Sequence, residues 1–219
     1  VQPLGTPGDD ILPGTPGNDT IDGGAGIDSL TGGGGNDRLN GGADNDTLTL
    51  NDGTNSVAGG AGEDTITVVS GSNTIDAGLG DDTVDLNDGI NVVLGGAGAD
   101  SITAATGTNT IDAGDGADSI TLSGGANTLT AGSGDDTITA NSGTNTIATD
   151  DGDNTVVLNA GTNKVTAGSG ADTITAASGT NTITAGEGND TIQLNNGFNS
   201  VVAGSGADTI TAASGTNTI

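Results

Sequence analysis

The chain is 219 residues long and carries 29 acidic side chains against two basic ones, a formal net charge of −27. It contains 43 glycines and one aromatic residue, Phe198, and it lacks Cys, His, Met, Trp and Tyr. The large side chains that fill a thick core are therefore missing, which argues against an ordinary globular domain. The charge disfavours nucleic acid and anionic membranes as partners and favours cations. No apolar run is long enough to predict membrane insertion.

An uninterrupted nine-residue repeat organises the sequence from Gly5 onward. Residues 5–219 divide into 23 complete units and a final unit of eight residues, without insertion or deletion. Position eight is Ile, Leu or Val in every unit, from Leu12 to Ile219. Position four is Gly except at Asp44, and position six is always Asp or Asn. Regularity of this kind predicts a repeat architecture in place of disorder.

Each unit predicts one short strand and one turn. Positions seven to nine typically read Thr-Ile-Thr, as at Thr137–Thr139, and β-branched residues favour strands. Alternation places the aliphatic residue inward and the threonines outward. Positions one to six are polar and Gly-rich, as a turn requires. Two units then form an 18-residue coil. We predict an all-β fold, a right-handed parallel β-roll (a β-solenoid) with two parallel sheets and a thin aliphatic core, about 55 Å long for twelve coils spaced by about 4.8 Å.

The turns change character along the chain. Residues 1–4 are interpreted as a lead-in to the repeat. Within 5–49 every turn ends in Asp, which predicts Asp turns on both edges of the roll. Within 50–219 Asp turns alternate with Asn turns, which predicts one acidic edge and one edge of stacked amides, joined as a hydrogen-bonded ladder. The whole is expected to be one continuous solenoid.

A row of leucines recurs every 36 residues at the start of Asn turns. This spacing favours an internal duplication of a two-coil unit, and a docking stripe is the alternative interpretation. The row comprises Leu50, Leu86, Leu122, Leu158 and Leu194.

Stacked Asp turns predict a cation site. Carboxylates layered about 4.8 Å apart repel one another unless a cation lies between them. Calcium accepts six to eight oxygen ligands, and Gly-rich turns expose backbone carbonyls. One carboxylate from each of two turns would balance one Ca²⁺. Magnesium prefers a stricter octahedral geometry, and zinc or copper would require the missing His or Cys. We therefore predict several bound calcium ions.

The turn sequence resembles the RTX (hemolysin-type) nonapeptide, Gly-Gly-x-Gly-x-Asp followed by x, an aliphatic residue and x. The stretches 23–28, 59–64 and 95–100 fit this pattern directly. The resemblance implies carboxylate ligands at Asp10, Asp19, Asp28, Asp37, Asp46, Asp64, Asp82, Asp100, Asp118, Asp136, Asp172, Asp190 and Asp208. It implies carbonyl ligands from turn glycines at Gly23, Gly24, Gly26, Gly59, Gly60, Gly62, Gly95, Gly96, Gly98, Gly114, Gly132, Gly168, Gly186 and Gly204. It also implies secretion and folding on contact with external calcium.

Two departures from the RTX pattern carry expectations of their own. The Asn turns lack the carboxylate, so that edge should hold little or no calcium after residue 50. Asn154 replaces Asp within the acidic row, and its turn also lacks Gly at position two. The sites next to Asn154 are expected to be weak or rearranged, with Asp150, Asp151 or Asp153 as possible substitutes.

The functional expectation is structural and not enzymatic. His and Cys are absent, and acidic side chains recur in a lattice without a unique pair. We expect an extracellular, cell-surface rod: a surface layer, adhesin stalk or filament stiffened by Ca²⁺, with stacking into a homo-oligomer as a possible form. One alternative is a secretion and folding module of a larger RTX toxin or hydrolase. The other is an ice-binding solenoid that uses the Thr and Asn rows.

Overall fold

The computed structural model describes residues 4–219, so the predicted lead-in lies outside it except for Leu4. Within this part of the chain there are 24 short strands and no helix, in two sheets of twelve strands each. The first sheet contains β1 (Ile11–Pro13), β3 (Ser29–Thr31), β5 (Thr47–Leu50), β7 (Thr65–Val68), β9 (Thr83–Leu86), β11 (Ser101–Ala104), β13 (Ser119–Leu122), β15 (Thr137–Ala140), β17 (Thr155–Leu158), β19 (Thr173–Ala176), β21 (Thr191–Leu194) and β23 (Thr209–Ala212).

The second sheet takes the strands that alternate with these along the chain. It contains β2 (Thr20–Ala25), β4 (Arg38–Ala43), β6 (Thr54–Ala61), β8 (Ser72–Leu79), β10 (Ile90–Ala97), β12 (Thr108–Asp115), β14 (Ala126–Ser133), β16 (Thr144–Asp151), β18 (Thr162–Ser169), β20 (Thr180–Glu187), β22 (Phe198–Ser205) and β24 (Thr216–Thr218).

The register of both sheets equals the predicted coil length. Every strand pairs in parallel with the strand 18 residues further on, as Ile102 does with Ile120 in the first sheet and Asn109 with Asn127 in the second. Two nine-residue units therefore make one coil, and the predicted parallel β-solenoid is confirmed. Because each coil pairs only with its two neighbours, the same turn position recurs in a straight column along the rod.

The core between the sheets is a narrow row of aliphatic side chains. The position-eight residues of both sheets are buried from Ile21 to Val201, as Ile66 and Ile75 are in successive strands. The threonines that flank them face outward, with Thr65 exposed and Thr67 half-buried. The predicted inward and outward alternation is therefore confirmed. Because the gap between the two sheets is narrow, aliphatic side chains occupy it without aromatic residues.

The leucine row belongs to this core. Leu50, Leu86, Leu122, Leu158 and Leu194 are at most 1% exposed, so the docking-stripe interpretation is wrong. Buried residues of smaller volume stand at the same turn position in the intervening coils: Val68, Ala104, Ala140 and Ala176. Large and small buried side chains thus alternate at this position along the rod.

Close stacking of the turns explains the glycine pattern. Gly60, at position two, has φ 122°, and a Cβ atom there would lie 2.1 Å from the carbonyl oxygen of Gly42 in the preceding coil. Gly62, at position four, has φ 132° and would bring a Cβ to 2.4 Å from the Asp44 carbonyl oxygen. Only glycine satisfies both the backbone conformation and the spacing. Over the described residues, no helix is long and apolar enough to cross a bilayer.

Candidate metal centre

The position-six residues form two columns, one along each edge of the solenoid. The acidic column contains Asp10, Asp28, Asp46, Asp64, Asp82, Asp100, Asp118, Asp136, Asn154, Asp172, Asp190 and Asp208. The amide column begins with Asp19 and Asp37 and continues as Asn55, Asn73, Asn91, Asn109, Asn127, Asn145, Asn163, Asn181, Asn199 and Asn217.

From Asp28 to Asp208, one side-chain oxygen of each residue in the acidic column joins two coils. Oδ1 of Asp82 accepts the backbone N–H of Asp64 at 2.7 Å, and Oδ1 of Asp100 accepts that of Asp82 at 2.8 Å. The same bond repeats from coil to coil along the column. The side chain therefore points into the turn stack, and from Asp28 to Asp190 these carboxylates are almost fully buried.

The other carboxylate oxygen is buried without a hydrogen-bond donor. A buried charged oxygen that lacks a donor is strongly unfavourable, so it indicates a binding partner such as a cation or a proton. The column repeats this feature nine times, which rules out an isolated local defect. The oxygens concerned are Oδ2 of Asp28, Asp46, Asp64, Asp82, Asp100, Asp118, Asp136, Asp172 and Asp190.

A second oxygen converges on the same place. A Cβ atom at Gly59 would lie 2.5 Å from Oδ2 of Asp64 in its own turn and 2.3 Å from the carbonyl oxygen of Ala77 in the next coil. Gly23 has the same surroundings, with Asp28 Oδ2 at 2.4 Å and the Gly41 carbonyl oxygen at 2.6 Å. At Gly59 and Gly23, two oxygens without an intervening donor lie close to the position-one α-carbon. The donor set suits a hard cation.

Burial disfavours the ionised state of these carboxyls in the absence of a cation. It raises the pKa of Asp82 to about 7, against the hydrogen bond from Asp64, and neighbouring carboxylates add to the rise. Burial also raises the pKa values of Asp46, Asp100 and Asp136 to about 6. It raises the pKa values of Asp37, Asp64, Asp118 and Asp172 in the same direction.

In the amide column, the side-chain atoms that join the coils are neutral and have hydrogen-bond partners. The side-chain nitrogen of Asn109 donates to the Asn127 side-chain oxygen at 2.8 Å and to the Thr106 carbonyl at 3.1 Å. Its own side-chain oxygen accepts the amide of Asn91 at 2.8 Å. The predicted amide ladder is present from Asn55 to Asn217. Because an amide carries its own donor, this edge leaves no orphaned side-chain oxygen between these residues.

The first two Asp turns differ from the rest. Asp10 accepts the backbone N–H of Thr6 at 2.6 Å and its hydroxyl at 2.9 Å. Asp19 accepts the corresponding groups of Thr15 at 2.6 and 2.8 Å, and these hydrogen bonds lower the pKa of Asp19. Sequence reasoning grouped both residues with the later ligands. The Thr that replaces Gly at position two is the signal that distinguishes them.

The remaining predicted glycines occupy the stacked turns as expected from their spacing. Those at positions two and four have positive φ angles, with the exception of Gly168, which lies beside an irregular turn. The position-one residue also presents its carbonyl oxygen beside the acidic column, as Gly41 does. The sequence prediction named this position at Gly23, Gly59 and Gly95 but not at Gly41. Among the described residues, no group of three or more acidic side chains is placed to hold a metal ion. A cation in the acidic column would therefore need backbone carbonyl oxygens as well as carboxylates.

A parallel β-solenoid with a row of buried carboxylates along its stacked turns defines a class of repeat protein in which the same acidic position recurs from coil to coil. The chain matches the model of the RTX calcium-binding nonapeptide repeat at nine overlapping stretches, which together span residues 4–219: 4–39, 13–48, 31–66, 49–84, 58–93, 85–120, 121–156, 157–192 and 184–219. It belongs to the RTX calcium-binding nonapeptide repeat family.

One solved structure shares the architecture along most of the chain. It is described as a hyperactive, Ca²⁺-dependent, β-helical antifreeze protein from an Antarctic bacterium. The TM-score is 0.79 at 20% sequence identity, over 95% of this chain and 78% of that one. At this identity the likeness establishes the fold alone. No curated protein matches the chain.

Proposed function

We propose that the chain is an extracellular structural rod that folds and stiffens when calcium enters the acidic column. The observation that carries the proposal is the row of buried Asp oxygens without donors, next to an amide column in which the corresponding atoms are satisfied. Calcium would supply the positive charge that this row lacks. The predicted Asp and Gly ligands of the acidic column would hold the calcium ions. Asp37, on the opposite edge, also has a buried oxygen without a donor and is a further candidate ligand.

The calcium concentration that the proposed rod needs supports an extracellular position. Extracellular modules of this type commonly bind calcium at about 10⁻⁴–10⁻³ M, far above cytosolic concentrations. The ligands are brought together only when coils stack, so binding and folding are coupled. A lattice of equivalent turns also supports a mechanical or spacing role in a surface layer, adhesin stalk or filament. We assign no reaction to it, because the carboxylates repeat without a distinct pair.

Circular dichroism across a calcium titration tests the proposal. The chain, stripped of metal by a chelator, is expected to lose its β signal near pH 8 and to regain it in millimolar Ca²⁺. Magnesium at the same concentration is the control for simple screening and should restore much less. An unchanged β spectrum in chelator would show that the aliphatic core and the amide ladder suffice, and would overturn calcium-dependent folding.

Ice binding is a second candidate, favoured by the outer face of the first sheet. Position seven carries a hydroxyl in eleven consecutive coils: Ser29, Thr47, Thr65, Thr83, Ser101, Ser119, Thr137, Thr155, Thr173, Thr191 and Thr209. From Thr47 onward these residues are exposed, except for the half-buried Thr83. Threonines follow at position nine in most of the same coils, for example Thr139 and Thr175. Asp85 is the one charged residue at position nine of this sheet, so the face is nearly neutral in a strongly acidic protein.

Thermal hysteresis in the presence of calcium tests this candidate. A bulky Thr137→Tyr substitution in the middle of the hydroxyl face should reduce the activity severalfold. The matched control is Thr146→Tyr, at an exposed position of the opposite sheet, which should leave it unchanged. The absence of hysteresis in the calcium-loaded protein, or an equal loss in both variants, would remove ice binding by this face.

A further inference from the structure

One turn of the acidic column departs from all the others in three places. Thr149 stands at position one, Asp150 stands at position two with φ 58°, and Asn154 stands at position six. The pairing of β16 with β18 shifts register on both sides of Asp150, whereas the other strand pairs keep the 18-residue register. The backbone has thus adjusted to this turn, and the neighbouring coils have not.

Asn154 keeps the contacts that join the column. Its side-chain oxygen accepts the backbone N–H of Asp136 at 2.9 Å, and its own N–H donates to Oδ1 of Asp172 at 2.9 Å. These bonds match those made by an Asp at every other level. The side chain of Asn154 is buried to the same degree as the neighbouring carboxylates. The substitution therefore preserves the stacking geometry.

The remaining atom of Asn154 differs in chemistry. Its side-chain nitrogen donates to the Gly152 carbonyl oxygen in the same turn at 3.0 Å. In the Asp turns of the acidic column from Asp28 to Asp190, the corresponding atom is the oxygen that has no donor. The side-chain nitrogen of Asn154 thus has a hydrogen-bond partner within the protein, whereas the carboxylate oxygen at this place in an Asp turn has none. The amide also adds no negative charge for a cation to neutralise.

Position one supports the same conclusion. In turns that carry Gly there, the space beside the Asp oxygen is left open, and a Cβ at Gly95 would lie 2.5 Å from Oδ2 of Asp100. In the Asn154 turn this position holds Thr149, a β-branched residue whose side chain is fully buried. A larger side chain accompanies the loss of the carboxylate.

We propose that the Asn154 turn contributes no calcium site, because its amide takes the place of the cation. The inference rests on the proposed calcium function. The acidic column is then divided into two calcium-binding segments, from Asp28 to Asp136 and from Asp172 to Asp208. They are joined by one level that holds its shape through neutral hydrogen bonds.

Calcium stoichiometry, measured by equilibrium dialysis on the folded chain, tests the division. The double variant Thr149→Gly/Asn154→Asp introduces the position-one glycine and the carboxylate of turns such as that of Gly95 and Asp100, and should bind at least one more ion per chain. The control Asn141→Asp adds the same charge at an exposed position outside both columns and should bind no more than the unmodified chain. A folded double variant with unchanged stoichiometry would overturn the proposal.

A reciprocal variant keeps the test decisive if the double variant does not fold. Asp100→Asn copies the neutral level into the middle of the first segment, and it should remain β-rich in calcium while binding at least one ion fewer. Full stoichiometry in Asp100→Asn would show that the amide does not displace a cation, and would contradict the proposal. An unmodified chain that binds no calcium would instead overturn the proposed function itself.

Discussion

Asp82 accepts the backbone N–H of Asp64 with one carboxylate oxygen, at 2.7 Å, and buries the other oxygen without a donor. The first oxygen fixes the stacking of two coils, and the second creates a demand for positive charge. Either a cation or a proton can meet that demand. Calcium and protons are therefore expected to compete for the same oxygens, with consequences of opposite sign for the free and the loaded chain.

In the metal-free chain, acidification should favour folding. Burial raises the pKa of Asp82 to about 7 and that of Asp46 to about 6, above their values in an unfolded chain. The stabilisation from the protonated forms is complete below about pH 4 and is lost as the pH rises through 6–7. Calcium-free protein should thus show more β signal at pH 5 than at pH 8. Circular dichroism, with light scattering to exclude aggregation, measures this, and a metal-free fold that strengthens towards pH 8 would contradict it.

Calcium-induced folding should show the reverse dependence. At pH 5 the buried carboxyls hold protons that calcium must displace, whereas at pH 8 they are ionised. The calcium concentration at half-folding is expected to be at least severalfold higher at pH 5. Titrations followed by circular dichroism at both pH values, at constant ionic strength, provide the comparison. A midpoint that does not change with pH would show that the buried carboxyls do not bind the ion.

The amide ladder should contribute to stability independently of calcium. Asn109→Ala removes hydrogen bonds to Asn91, Asn127 and Thr106 and leaves buried partners unsatisfied. We expect a loss of about 2–4 kcal/mol in the free energy of unfolding. Urea unfolding in saturating calcium measures it, and Thr110→Ala, at an exposed neighbouring position, serves as the control. Equal stability of the two variants would mean that the ladder is dispensable.

Gly60, at position two of a stacked turn, should not tolerate a side chain. Gly60→Ala forces a Cβ to 2.1 Å from the Gly42 carbonyl oxygen at φ 122°. We expect a loss of about 3 kcal/mol or more, from backbone strain and steric overlap together. Gly8→Ala is the matched control, because no atom lies within 4 Å of a Cβ there. Thermal unfolding in calcium compares the two, and similar midpoints would refute the steric explanation.

The sequence predicted the fold because the repeat leaves few alternatives. Position eight had to face inward and position six had to recur at one edge, so Ile66 and Asp64 could be placed before any coordinates were known. The ladder from Asn55 to Asn217 was predictable for the same reason. The environment of Asp10 was not, because it depends on which donor Thr6 turns towards the carboxylate.

What the amino-acid sequence determined by itself is the periodic part: the 18-residue coil, the two sheets, the two edges and the family. Only the tertiary structure decided which oxygen of each Asp is used in stacking, which is left without a donor, and that the side-chain nitrogen of Asn154 donates to the Gly152 carbonyl within its own turn. The physical reason is that periodicity fixes the position of a residue in a column. The state of each side-chain atom depends on contacts of about 3 Å, either with residues of the adjacent coils, 18 positions away, or with residues of its own turn.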